Sequence, residues 1–196
     1  LVGRNADGEY AGVLVESYEP NADFTEWTFT VRPGITFHDG TPLTSKDVIA
    51  TLDAVMDGTR PTGAIRQDMN ALERWSAIDE FSVQLVWRQP SPFALRQIAK
   101  LPILQAAQLA GDWKAMAVAP LGTGPFKVER WEKGSQVELV RVGDAMLDRI
   151  VFRFVKDHTV AAGMLEKGEF DLMTSMQPAL WRAMEAPDPR FAWAQS

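Results

Sequence analysis

Residues 27–56 read WTFTVRPGITFHDGTPLTSKDVIATLDAVM, and strand, turn and helix signals follow one another within this stretch. Trp27, Phe29 and Val31 alternate with Thr28, Thr30 and Arg32, the period of two expected of a strand with one buried face. Pro33-Gly34 ends it. Proline presets the backbone for the second position of a turn and glycine accepts the positive φ of the third, which predicts a type II turn over Arg32 to Ile35. The chain resumes at Ile35 and Phe37, reverses again through His38-Asp39-Gly40-Thr41-Pro42, and enters a helix at Thr44. Thr44 and Asp47 stand at capping-box spacing. Val48, Leu52 and Val55 recur at helical spacing, and Gly58 falls where a left-handed residue closes a helix.

Upstream of this window, Asn5-Ala6-Asp7-Gly8 predicts a turn, and Val13 to Tyr18 a strand apolar enough to be largely buried. Downstream, breakers cluster from Thr59 to Gly63. Ile65, Met69 and Leu72 predict a second short helix. Ala77-Ile78 and Phe81 to Trp87 predict strands about a turn at Asp79-Glu80, with Phe81, Val83, Leu85 and Trp87 on one face. Ser91-Pro92 opens a further helix, with Phe93, Leu95 and Ile98 as its apolar contacts. The pattern weakens between Leu101 and Ala119, where a boundary is expected.

From Pro120 the signals return. Lys127 to Trp131 and Gln136 to Val142 predict a hairpin around Glu132-Lys133-Gly134-Ser135, and Asp148 to Val155 a further strand. A helix capped by Asp157 runs through Val160, Met164 and Leu165 to Gly168, and Phe170 to Met173 reads as a short strand. Strand, helix and strand in that order predict a βαβ unit with parallel strands. Pro178 to Met184 predicts one more helix.

The order W-x-F-x-V-R-x-G-I-x-F-H-D-G-T-P-L-T-x-x-D-V in the opening window resembles the signature segment of the family 5 extracellular solute-binding proteins, the dipeptide, oligopeptide and nickel-type receptors of bacterial ABC importers. APLGTGPF (Ala119 to Phe126), LDRIVFRFVKD (Leu147 to Asp157) and LEKGEFDL (Leu165 to Leu172) extend the resemblance over about Leu14 to Met173. One departure is visible. Family members carry an asparagine and a tyrosine-tryptophan pair ahead of the D-R-I strand, whereas here Gly143-Asp144-Ala145-Met146 alone separates Val142 from Leu147.

The resemblance implies an α/β (mixed α+β) fold, specifically a fragment of a type II periplasmic-binding-protein-like lobe with a peripheral subdomain. It assigns residues 1–110 to the peripheral subdomain and 111–196 to part of the ligand-binding first lobe, the second lobe being absent. The opening at Leu1-Val2-Gly3-Arg4 and the stop at Ser196 fit an excised portion of a longer protein. The function implied is the substrate-binding component of an ABC importer, capturing peptides or a similar small solute in the periplasm and delivering it to the membrane permease. The location implied is periplasmic, or extracellular and membrane-anchored. No match to the contacts expected of a nickel chelate is found near Thr59 to Ile65 or Leu101 to Leu104, which favours peptide. A second reading, from another class, is a non-transport protein-interaction module derived from the same fold.

Composition narrows the alternatives. The 196 residues carry a net charge of −6, without a basic run, which argues against a nucleic-acid partner. No apolar stretch reaches the roughly 18 residues of a membrane span. There is no cysteine, so disulfides, thiolate metal sites and cysteine nucleophiles are excluded, and the only two histidines, His38 and His158, lie far apart in sequence. No cofactor is implied.

Gly122-Thr123-Gly124 lacks the lysine and hydroxyl of a phosphate loop and reads as a tight turn into a strand. His38-Asp39 has no identifiable serine partner, so a hydrolase is disfavoured. Glu166, Glu169 and Asp171 lack calcium-loop spacing and read as solvated charges at a helix end. Of the seven tryptophans, Trp27, Trp75 and Trp87 sit at strand positions and read as core, whereas Trp131 and Trp181 are candidates for exposure. Ligands of open α/β sheets bind beyond strand carboxyl ends. With the two-lobed cleft implied by the resemblance, this singles out Thr123, Thr174, Ser175 and Met176 as candidate ligand-binding residues, with no catalytic or metal-binding residue.

Overall fold

The computed structural model of the chain describes residues 1–58 and 62–174. Its elements follow in the order β1 (Val2–Arg4), β2 (Tyr10–Gly12), β3 (Val15–Pro20), β4 (Glu26–Val31), α1 (Ser45–Met56), α2 (Gly63–Asp68), β5 (Leu72–Ala77) and β6 (Ser82–Trp87). Then come α3 (Ala94–Ile98), α4 (Ala106–Ala110), α5 (Trp113–Val118), β7 (Phe126–Glu132), β8 (Gln136–Arg141), β9 (Arg149–Arg153) and α6 (His158–Glu166). The chain forms two compact units, one of Leu1–Trp131 with Leu139–Ile150, the other of Glu132–Glu138 with the chain from Val151 onward.

In the first unit an antiparallel sheet runs in the order β3-β4-β6-β5. Its register sets Trp27 opposite Leu85 and Phe29 opposite Val83, so the alternating apolar residues of two strands meet on one face. All four are buried, together with Val31 and Trp87. Against this core α1 contributes Val48, Leu52 and Val55, packing along β5 and β6. Each such side chain removed from water contributes roughly 1.5–3 kcal/mol.

The turns form as the local chemistry predicts. Gly34 adopts φ +87° after Pro33, as the third position of a type II turn demands. The second reversal is closed by a bridge between Thr36 and Pro42 and by a bond from Phe37 N to Thr41 O at 2.8 Å. At the start of α1, Asp47 Oδ2 accepts from Thr44 N at 2.9 Å and from Thr44 Oγ1 at 3.1 Å. Gly58, at φ +74°, follows the helix end.

Several expectations are corrected. The Val13–Tyr18 strand is not largely buried: β3 begins at Val15, which is the one fully buried residue of that run. β3 lies at the sheet edge, and a bulge between Val15 and Ser17 breaks its alternation. Leu72 belongs to β5 rather than to the second helix, which stops at Asp68. A second bulge, between Leu72 and Arg74, hides the strand's period in the sequence. α3 starts at Ala94, leaving Phe93 74% exposed; Ala94 and Ile98 are buried in the core and Leu95 packs against it as expected.

The weak stretch from Leu101 to Ala119 holds α4 and α5 and is a wall of the first unit. Leu104 N donates to Thr51 Oγ1 at 2.9 Å and Ala106 N to Asp47 Oδ1 at 2.9 Å, tying this stretch to α1. Leu109 and Met116 pack with Ala54 in a small second apolar cluster.

The strands β7, β8 and β9 form a sheet in that order, with Gly134 at φ +79° in the first turn. The shortened connection after β8 is closed within the first unit by Arg141, which pairs with Asp148 at 2.8 Å and donates to Ala145 O at 3.1 Å. In the second unit Asp157 Oδ1 caps α6, accepting from Thr159 N at 2.7 Å and Val160 N at 3.2 Å. These bonds, Val160 N foremost, hold the Asp157 carboxyl below its ordinary range. Ala161, Ala162 and Leu165 are buried. The predicted strand at Phe170 to Met173 does not form. Its residues pair with no strand among those described, so no βαβ unit closes here. The predicted helix from Pro178 to Met184 lies outside the described residues.

Candidate functional site

The two reversals that the sequence treats separately meet in the first unit. His38 N donates to Gly122 O at 2.9 Å, and Gly122 N donates back to His38 Nδ1 at 3.2 Å. His38 Nε2 lies 2.9 Å from Gly124 O. Since Nδ1 accepts, the proton of the neutral ring sits on Nε2 and is donated to Gly124 O. One histidine thus binds the backbone on both sides of Thr123.

Space rather than torsion bears on Gly122: its φ is not in the left-handed region, and a Cβ there would make a tight contact of 3.3 Å with His38 Cε1. At Gly124 an added Cβ would meet nothing within 4 Å. On the far side of the loop, Val142 N donates to Pro125 O at 2.8 Å.

Beneath the His38 turn lies buried Gln105, whose Nε2 donates to Asp39 Oδ2 at 2.8 Å and to Thr41 Oγ1 at 2.6 Å. Asp39 Oδ1 also accepts from Thr41 Oγ1 at 2.7 Å and Thr41 N at 3.0 Å. The Thr41 hydroxyl is the main reason that the Asp39 carboxyl sits below its ordinary range, with the Thr41 amide and Gln105 adding to it. His38 and Asp39 are not bonded to each other, and both ring nitrogens of His38 are committed to backbone. No base is therefore poised here to take a substrate proton.

Between the Ile35–Gly40 segment and Thr123, Gly124 and Pro125 lies a groove of about 580 Å³, with Val142 and Asp144 also on its walls. Thr123 is half-buried there, and among the described residues its hydroxyl has no hydrogen-bond partner. The groove offers a hydroxyl, a carboxylate and apolar walls, which suits reversible binding through hydrogen bonds.

The other candidates separate. Thr174 belongs to the second unit, on the wall of a cavity of about 220 Å³ shared with Phe152, His158 and Phe170. His158 Nδ1 is buried there without a hydrogen-bond partner. Ser175, Met176 and Trp181 lie outside the described residues. Among the described residues no cluster of His, Cys, Asp or Glu could hold a metal ion, and no helix is long and apolar enough to cross a membrane. Trp27 and Trp87 are core residues, while Trp75 donates from Nε1 to Asp53 Oδ1 at 2.7 Å and Trp131 is 41% exposed.

The sequence reading missed His38 as the partner of the Gly122-Thr123-Gly124 loop. The one signal available was that FHDGTP and GTGP both belong to the segments carrying the resemblance.

Comparison with known proteins extends these observations. The model of the family described as "Bacterial extracellular solute-binding proteins, family 5 Middle" matches residues 9–189. The glutathione-binding protein GsiB of Escherichia coli K12 is 29% identical over 177 residues, covering 86% of this chain and 34% of that protein. The PBP AgaA of A. tumefaciens R10, solved with agropinic acid, superposes with a TM-score of 0.79 at 31% identity, over 87% of this chain and 36% of AgaA. The ABC transporter-associated periplasmic binding protein DppA of Helicobacter pylori, solved with the peptide STSA, gives a TM-score of 0.80 at 24% identity, over 94% and 42% of the two chains, and speaks for the fold alone. The fold is thus mixed α/β, with periplasmic binding proteins as its structural neighbours. The chain spans about a third of the length of the curated relatives it matches.

Proposed function

Because this chain belongs to the bacterial extracellular solute-binding proteins of family 5, we propose that it forms part of the substrate-binding component of an ABC importer, capturing a peptide or similar small solute in the periplasm for delivery to the permease. The family match over residues 9–189 carries this reading. The relatives support it: one is named for glutathione, itself a tripeptide, and another was solved with agropinic acid. The groove beside Thr123 is consistent with such a solute, since a free hydroxyl at a rigid loop can hydrogen-bond a carboxylate or amide.

In this reading residues 1–110 serve as the peripheral subdomain and 111–196 as part of the ligand-binding first lobe. Thr123 is the proposed solute contact of the first unit, and Thr174, Ser175 and Met176 stay as further candidate ligand-binding residues. Binding makes and breaks no covalent bond, so no catalytic constellation is needed.

The test is isothermal titration of the full-length polypeptide with di- to pentapeptides, glutathione and agropinic acid. Micromolar or tighter binding of at least one is expected, corresponding to about −8 kcal/mol. Absence of heat with every member would overturn the solute-binding reading. The 196-residue chain alone is expected to bind none of them at micromolar concentration, because it spans about a third of the length of the relatives it matches.

A further inference from the structure

We propose that His38 is a positioning residue for solute capture, holding the loop that carries the Thr123 hydroxyl in its binding geometry before any solute arrives. The inference rests on the solute-binding reading above and goes beyond it by naming what orders the site.

The geometry singles out His38 in three ways. It makes three hydrogen bonds, at 2.9, 3.2 and 2.9 Å, to the two peptide segments that flank Thr123, and none to Thr123 itself. A turn alone needs none of these. Its ring nitrogens are used in complementary senses, Nδ1 accepting and Nε2 donating, so the loop is held in one register rather than merely covered. Its own backbone is anchored independently, by the Asp39-Thr41-Gln105 network on one side and the Thr36–Pro42 bridge on the other. The imidazole is a strut between a fixed turn and a loop whose other ties are His38 N to Gly122 O at 2.9 Å, Leu121 N to Gln108 Oε1 at 2.9 Å and Val142 N to Pro125 O at 2.8 Å, none of which reaches Gly124.

A loop ordered in advance spares the binding step the entropy of ordering it. The close approach of Gly122 fits the same role. A Cβ there would stand 3.3 Å from His38 Cε1, so the ring would have to shift by a few tenths of an ångström, whereas the open space at Gly124 places no such demand.

The experiment has two arms. In the first, nitrogen-resolved NMR of the 196-residue chain is expected to show the His38 ring in its Nε2–H form and the Gly122 amide protected from exchange. His38→Ala is expected to raise Gly122 exchange at least about tenfold while Val83 and Leu85 in the sheet stay protected. Should His38→Ala fail to fold, Gly122→Ala is expected to give the same local signature, with Gly124→Ala as the silent control. Unchanged Gly122 exchange in the variants, or the other ring tautomer in the parent, would sink the strut.

In the second arm, the full-length polypeptide is titrated with the peptide, glutathione and agropinic acid panel. His38→Ala is expected to weaken the observed binding about tenfold with the melting temperature of the sheet core retained, and Gly63→Ala, in open space away from the groove, to leave binding unchanged. Full affinity in His38→Ala would overturn the positioning role while leaving the solute-binding reading intact. Absence of binding by the unaltered polypeptide would remove that reading, and the role with it.

Discussion

The carboxylate of Asp47 accepts the backbone N–H of Ala106 at 2.9 Å, while its other oxygen accepts the N–H of Thr44 at 2.9 Å. A single buried side chain therefore satisfies amide donors at the starts of two helices, α1 and α4, which leave their first N–H groups unpaired by geometry.

Asp47→Ala is expected to destabilise the first unit by about 3 kcal/mol, more than the roughly 1 kcal/mol of an ordinary cap, because charge-assisted bonds at both helix starts are lost together. Asp47→Asn should cost less. Urea denaturation followed by far-UV circular dichroism measures both, and an Asp47→Ala loss below about 1 kcal/mol would contradict the double role.

Two core tryptophans differ in one bond. Trp87 Nε1 donates to Gln97 Oε1 at 2.9 Å, whereas Trp27 Nε1 is buried without a partner. Trp87→Phe is therefore expected to cost about 1 kcal/mol more than Trp27→Phe, since only the first breaks a hydrogen bond. Equal losses in parallel denaturant titrations would contradict this.

Among the described residues three carboxyls are held below their ordinary range: Asp39 chiefly by the Thr41 hydroxyl, Asp79 chiefly by the Phe81 amide, and Asp157 chiefly by the Val160 amide. A depressed folded value means that the ionised form favours the folded state. Their contribution is complete above the unfolded aspartate value of about 3.9 and is lost as pH falls through the lower folded values. Stability is thus expected to decline on acidification below about pH 4, and Asp79→Asn to flatten that decline. An acid limb with the same slope in Asp79→Asn, measured by thermal melts across pH, would count against it.

Gly12 joins the short β1-β2 ribbon to β3, and a Cβ there would run into the backbone carbonyl of Val15. Backbone cannot swing aside as a flexible side chain can. Gly12→Ala is expected to destabilise by at least about 1–3 kcal/mol, whereas Gly124→Ala, with open space around it, should change stability little. Differential scanning calorimetry of the two variants distinguishes them.

What the sequence revealed follows a physical division. The Pro33-Gly34 turn, the Thr44-Asp47 cap and the alternation of Trp27, Phe29 and Val31 were legible because a few adjacent residues dictate each of them. The edge strand β3 and the start of β5 were misjudged because bulges at Val15 and Leu72 shift the period without any mark in composition. The helices α4 and α5, at five and six residues, are too short to display a helical repeat. Phe170 to Met173 has strand composition, yet a strand also needs a ladder partner. The contact between His38 and Gly122 spans 84 positions and relies on backbone atoms of glycine, which leave no chemical signature to read.

The order β3-β4-β6-β5 also bears on how the chain folds. β5 and β6 join through the short turn at Asp79-Glu80, but β4 must find β6 across all the chain from Val31 to Ser82, with α1, α2 and β5 inside that loop. Closing the longer loop costs entropy before its contacts repay it, so the β5-β6 hairpin is expected to form first and β4 to dock on it later. Asp79→Ala, which removes the acceptor of the Phe81 and Ser82 amides, should then slow refolding, while Val15→Ala in β3 should chiefly speed unfolding. Stopped-flow traces with the opposite assignment would reverse the order. A segment that identifies the family from its sequence would on this view be among the later parts of the sheet to reach its place.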